Sequence, residues 1–166
     1  PLGSMSKAGR AESEPVLRDA GVLHLHTPWN TANIGLAAHA RRLGVPYVLS
    51  IHGMLDDWSM SQSRAKKRVF HALFAKKLLE SAAAVHCTAA AELEQSKAWY
   101  PNGHGVVIPL IFDIEPYRDL PTDEAAKALV PQLDTDLPRV LFISRIHVKK
   151  GLEHLIRASG LLVKQG

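Results

Sequence analysis

The chain has 166 residues, 46% hydrophobic and 22% charged, an ordinary globular composition that excludes disorder throughout. No run approaches the roughly 20 apolar residues of a membrane span, and no short apolar segment follows a basic start as in a signal peptide. The single cysteine, Cys87, excludes an internal disulfide and fits a reducing, cytoplasmic compartment, and its apolar surroundings predict a buried, inert thiol.

In chain order, residues 1–4 (PLGS) read as a protease-cleavage scar ahead of Met5, and Lys7 to Asp19 is polar and forms at most one helix. Four short apolar runs follow: Val22 to Leu25, Tyr47 to Ile51, Ala84 to Cys87 and Val106 to Ile108. Each reads as a strand buried by helices. Ile34 to Leu43 predicts a helix ended by Gly44 and Pro46. From Ser61 to Glu80, Val69, Phe70, Leu73, Phe74, Leu78 and Leu79 recur at helical spacing, predicting one amphipathic helix.

The formal net charge of +4 and pI near 9.4 come from that same stretch, through Arg64, Lys66, Lys67, Arg68, His71, Lys76 and Lys77. A solvated outer face is the plain reading and attraction to anionic lipid the sharper one. Nucleic acid is not expected as a partner, because no recognised binding module accompanies the charge. Thr88 is the expected cap of the next helix, with Glu92 and Glu94 near its positive end. Trp99 and Tyr100 close that helix before a turn at Pro101 to Gly105, and packing is their expected role. The alternation of strands and helices predicts an α/β fold, a Rossmann-like parallel sheet with helices on both faces.

Residues 113–138 change character, with Pro116, Pro121, Pro131, Pro138 and five aspartates, and read as a linker holding one short helix over Thr122 to Leu129. Beyond it, Arg139 to Ile143 predicts a strand and Leu152 to Lys164 a helix. A lone strand–helix pair cannot bury its own apolar faces, so residues 139–166 are expected to begin a second domain. Residues 5–112 are expected to be a partial first domain, because no glycine-rich turn precedes Val22. An uncovered sheet edge recruits another strand, which predicts a homodimer, an exchange of the segment 139–166 between copies, or its folding back.

Three groups of residues could carry chemistry. His52 follows the strand YVLSI, and Gly53 lets the backbone turn sharply there, placing an imidazole at the carboxyl end of a parallel strand, where open α/β sheets bind ligands. In VLFISRIHVKKG, Val140 to Gly151, a strand runs into a basic turn and a helix start. Arg145, Lys149, Lys150 and Gly151 there offer cations and free N–H groups to an anion such as a diphosphate. His24 and His26 alternate on one strand and share a face, as a zinc pair or a metal-dependent hydrolase would use. No ladder of further His or Asp supports that reading, and the chain is far short of eight βα units.

The strand-Ser-Arg-x4-Lys-Gly pattern at Ser144 to Gly151, with S-x-H-G-M-L-x-x-W at Ser50 to Trp58, resembles the retaining nucleotide-sugar glycosyltransferases of family 4, built from two Rossmann-like domains in the GT-B arrangement. The second motif is similar to a subgroup making surface polysaccharides. Asp57 stands where that subgroup often has proline, and Ser144 where the family usually has glycine. The resemblance implies that His52 lies beside the transferred sugar and that Arg145, Lys150 and Gly151 hold the donor diphosphate. A structural or acceptor-side role is expected for His26, Thr27, Trp29 and Gly53, and the resemblance implies no metal or other cofactor. The implied partners are a nucleotide sugar and a glycan or lipid-linked acceptor. Peripheral contact with the inner membrane face through Arg64, Lys66, Lys67 and Arg68 is implied as well. The family's paired glutamates and N-terminal glycine-rich turn have no counterpart, so this chain is expected to be an incomplete GT-B architecture and inactive alone. The alternative is a Rossmann-like interaction module without chemistry.

Overall fold

The computed structural model describes residues 5–131 and 140–165. The expected scar at residues 1–4, the end of the expected linker and Arg139 lie outside the described residues. The chain forms two units, one running to Ile111 and the other beginning at Phe112.

The first unit opens with α1 (Lys7–Asp19), capped by the Ser6 hydroxyl, which accepts from the Gly9 N–H at 3.0 Å. Then come β1 (Leu23–His26), α2 (Thr31–Arg42), β2 (Tyr47–Ser50), α3 (Asp57–Ser61), α4 (Arg64–Phe70) and α5 (Lys76–Glu80). β3 (Ala84–Cys87), α6 (Ala90–Ser96) and β4 (Gly105–Val107) complete it. The four strands pair in parallel in the order β1-β2-β3-β4. Helices flank this sheet, as the alternating pattern predicts.

Register decides which side chains meet. Leu25, Leu49 and Val85 stand in one cross-strand row and are buried, and they form the core with Tyr47, Ile51, Cys87, Leu78 and Leu79. Pleating turns His24, His26, Ser50 and His86 to the opposite face, where His26 pairs with Ser50 and Ser50 with His86. A second small cluster docks α1 through Leu17 onto Ala40 and Val45.

Several elements differ from expectation. The single helix over Ser61 to Glu80 is broken. α3 ends at Gln62 in an extended conformation, Ser63 adopts a left-handed φ of 52°, and a π-type turn over His71–Ala75 separates α4 from α5. The His71 ring nitrogen meets the Trp99 carbonyl at 2.6 Å, which anchors that turn. Thr88 is not the cap of α6; Ala89 occupies that place without a side-chain bond. Thr88 instead donates through its N–H and hydroxyl to Glu92 Oε2 at 2.6 and 2.9 Å, because the carboxylate reaches back from the first turn.

The second unit contains α7 (Asp123–Leu129), capped by Thr122 as expected, and α8 (Leu152–Gln165). Residues 140–143 form no strand. Val140, Leu141 and Ile143 are 75 to 83% exposed, since a strand exists only with a ladder partner and none is present among the described residues of this unit. Lys149 and Lys150 lie in a 3-10 turn (Val148–Lys150) rather than in the helix, and Gly151 adopts a left-handed φ of 66° before α8 begins at Leu152.

Candidate functional site

The carboxyl ends of β1 and β2 both turn through a strained residue. Thr27 (φ 72°) and His52 (φ 51°) occupy the left-handed region that side chains with a Cβ rarely adopt. Such strain persists only where the surroundings enforce it, and it clusters at functional sites. Behind Thr27, the buried Asn33 amide donates to the carbonyls of His26 and Thr27 at 2.6 and 2.9 Å. The Thr27 N–H extends the ladder to the Ser50 carbonyl at 2.9 Å.

The turn of His52 is held from the other side. The Gly53 N–H donates to Glu92 Oε1, the Ser59 hydroxyl donates to the Gly53 carbonyl at 2.9 Å, and Asp56 caps α3 by accepting from the Ser59 N–H at 2.6 Å. Glu92 therefore clamps the ends of β2 and β3 with one carboxylate. A cavity of about 350 Å³ lies here, lined by His52, Gly53, Asp56, Thr88, Glu92 and Gln95.

Four imidazoles gather on the polar face of the sheet. His86 Nε2 lies 2.8 Å from the Ile108 carbonyl, His86 Nδ1 2.7 Å from the Ser50 hydroxyl, and that hydroxyl 2.8 Å from His24 Nε2. The carbonyl can only accept, so it orders the neutral chain: His86 Nε2 donates to it, Ser50 donates to His86 Nδ1, and His24 Nε2 donates to Ser50. The His24 and His26 rings lie 4.4 Å apart, and His26 Nδ1 sits 2.8 Å from His52 Nε2 with the two ring planes 12° apart. Burial, and then His26, His86 and His52, hold the His24 pKa below its ordinary value. Among the described residues no three His, Cys, Asp or Glu are arranged to hold a metal ion.

Trp29 packs on Phe70 edge-on at 5.8 Å, with Lys67 Nζ 5.6 Å from its ring centroid. Lys67 also donates to the Ser59 carbonyl, so this lysine faces inward while Arg64, Lys66 and Arg68 are exposed. Lys66, Val69, Phe70, Leu73 and Phe74 line an open apolar groove of about 460 Å³. Arg145 and Lys150 are exposed and belong to the second unit.

His26, Thr27, His52 and Gly53 thus converge at adjacent strand ends. Asn33, His86 and Glu92 are the members that motif reading does not single out. His86 was accessible in principle: with Cys87 buried, the two-residue period puts its neighbour on the polar face beside Ser50. Glu92 was visible only as a charge suited to a helix start.

A parallel α/β sheet flanked by helices, with strained, hydrogen-bond-locked turns at adjacent carboxyl ends, defines a domain of the Rossmann-like class, in which ligands generally bind beyond those strand ends. The family described as Glycosyl transferase 4-like domain matches residues 10–110, more than half of the chain, and the chain belongs to that family. No curated protein and no solved structure matches it.

Proposed function

We propose that the chain contributes to a retaining glycosyltransferase that moves a sugar from a nucleoside diphosphate to a hydroxyl acceptor in the synthesis of a surface polysaccharide or envelope glycan. The observation that carries this is His52: an imidazole on a left-handed turn at the end of β2, in a chain of a glycosyltransferase family. In this reading His52 hydrogen-bonds the transferred sugar and stabilises developing charge, while His26, Thr27, Trp29 and Gly53 border the acceptor. Arg145 and Lys150, with the Gly151 turn, stabilise the departing diphosphate in place of a metal ion.

The anomeric carbon–oxygen bond to the diphosphate breaks and the acceptor oxygen bonds to the same face. The acceptor proton passes to the departing phosphate. Residues 139–166 would belong to the donor-binding side of a GT-B enzyme. The exposed Arg64, Lys66 and Arg68, of which Lys66 lines the apolar groove, would draw the enzyme to an anionic membrane face, where a lipid-linked acceptor resides.

The test is sugar transfer by the complete gene product from uridine and guanosine diphosphate sugars. His52→Ala should lower kcat about 100-fold or more, as loss of one transition-state contact does. Arg145→Ala should abolish nucleoside diphosphate binding in a calorimetric titration. Unchanged kcat in the first variant, or unchanged binding in the second, refutes the corresponding role.

A further inference from the structure

We propose that His26 is the positioning residue for His52, fixing its tautomer and ring plane through the Nδ1 to Nε2 hydrogen bond. The role rests on the catalytic-site reading of His52 given above, but its geometry stands apart from it.

The backbone of His52 is fixed by Glu92 and Ser59 through Gly53, yet a fixed backbone does not fix a side chain. The ring could still rotate and exchange its proton between nitrogens. Its described partner is His26, at 2.8 Å. In a hydrogen bond between two imidazoles one nitrogen donates and the other accepts, so the bond ties the tautomer of one neutral ring to that of the other. If His26 donates, His52 carries its proton on Nδ1. If His52 donates, its Nδ1 is a bare acceptor. Either way the nitrogen left for a sugar hydroxyl has one defined polarity.

His26 is itself held. Asn33 binds its carbonyl, strand pairing fixes its Cα opposite Ser50, and the His24 ring lies 4.4 Å from its own. His24 in turn is ordered through Ser50 and His86 by the Ile108 carbonyl. The result is a rigid platform that carries the imidazole pair. Stability does not account for the arrangement, since both His26 and His52 are exposed and an exposed hydrogen bond contributes little to folding. Misplacement of a reacting group by about 1 Å can cost about 100-fold in rate, which is the advantage such a platform confers.

The test is nitrogen-15 NMR of histidine-labelled protein at neutral pH, paired with turnover of the complete gene product. The wild-type chain should show a nitrogen–nitrogen coupling across the His26–His52 bond and a single His52 tautomer. His26→Leu should lose the coupling, leave His52 in mixed tautomers and lower kcat about 10-fold or more, with the melting temperature little changed. His26→Asn places a polar atom near the lost Nδ1 and should restore one tautomer and most of kcat. An absent coupling in the wild type, or a His52 tautomer indifferent to His26→Leu, overturns the proposal. If the tautomer follows His26 while His52→Ala leaves transfer intact, the positioning stands and the catalytic reading of His52 falls.

Discussion

Glu92 is the residue whose loss should be felt in two turns at once. Its carboxylate accepts from the Gly53 N–H and from the Thr88 N–H and hydroxyl, joining the ends of β2 and β3. Glu92→Ala removes this acceptor from two part-buried backbone N–H groups, and loss of a part-buried hydrogen bond costs about 1–3 kcal/mol. The adjoining cavity of about 350 Å³ can admit water, which places the sum near the lower end, about 2 kcal/mol. In a domain of this size that lowers the melting temperature by about 8 °C. Glu92→Gln retains one acceptor oxygen and turns an amide N–H toward a donor, so it should cost about half as much. Urea unfolding gives the stability, and amide exchange at Gly53 gives the local effect, which should rise well above that of the core strands. A change below about 0.5 kcal/mol in Glu92→Ala, with Gly53 exchange unaltered, would refute the clamp.

Two further outcomes follow from the same structure. Leu49→Ala, at a fully buried position in the central row of the sheet, should destabilise by about 3 kcal/mol in urea unfolding, as buried leucine truncations do. Acid should also weaken the fold through His24. Its folded pKa lies below the unfolded value of about 6.5, so the unfolded chain takes up the proton first; the contribution is complete above that pH and fades as pH falls toward the folded pKa. Urea midpoints at pH 7.5 and 5.5 should differ less in His24→Gln than in the wild type.

The sheet was legible because its strands are short, apolar and evenly interrupted. All four appear within a residue of their predicted bounds, and Gly44 marks the end of α2 in a left-handed conformation. The stretch from Ser61 to Glu80 was legible as apolar spacing but not as geometry. A helical period tolerates one inserted residue, and the anchor of the π-type turn, the Trp99 carbonyl, lies 28 positions away from His71. Residues 140–143 have strand propensity without a partner to satisfy their backbone, and propensity alone does not make a ladder. At the site, His52 and Gly53 were readable from a local pattern. The imidazole platform was not, because its links join Ser50 to residues 26 and 36 positions distant, and only strand register brings them together.

The strand order has a consequence for how the molecule is made. Because β1, β2, β3 and β4 lie side by side in the order of translation, each strand finds its neighbour already in place as it leaves the ribosome. Among the described residues no strand has to wait for a later one to be inserted between it and its predecessor, so loop closures stay short and few competing pairings arise. Assembly can then proceed as growth on one edge, with the imidazole platform finished only when Ile108, last in sequence, supplies its carbonyl.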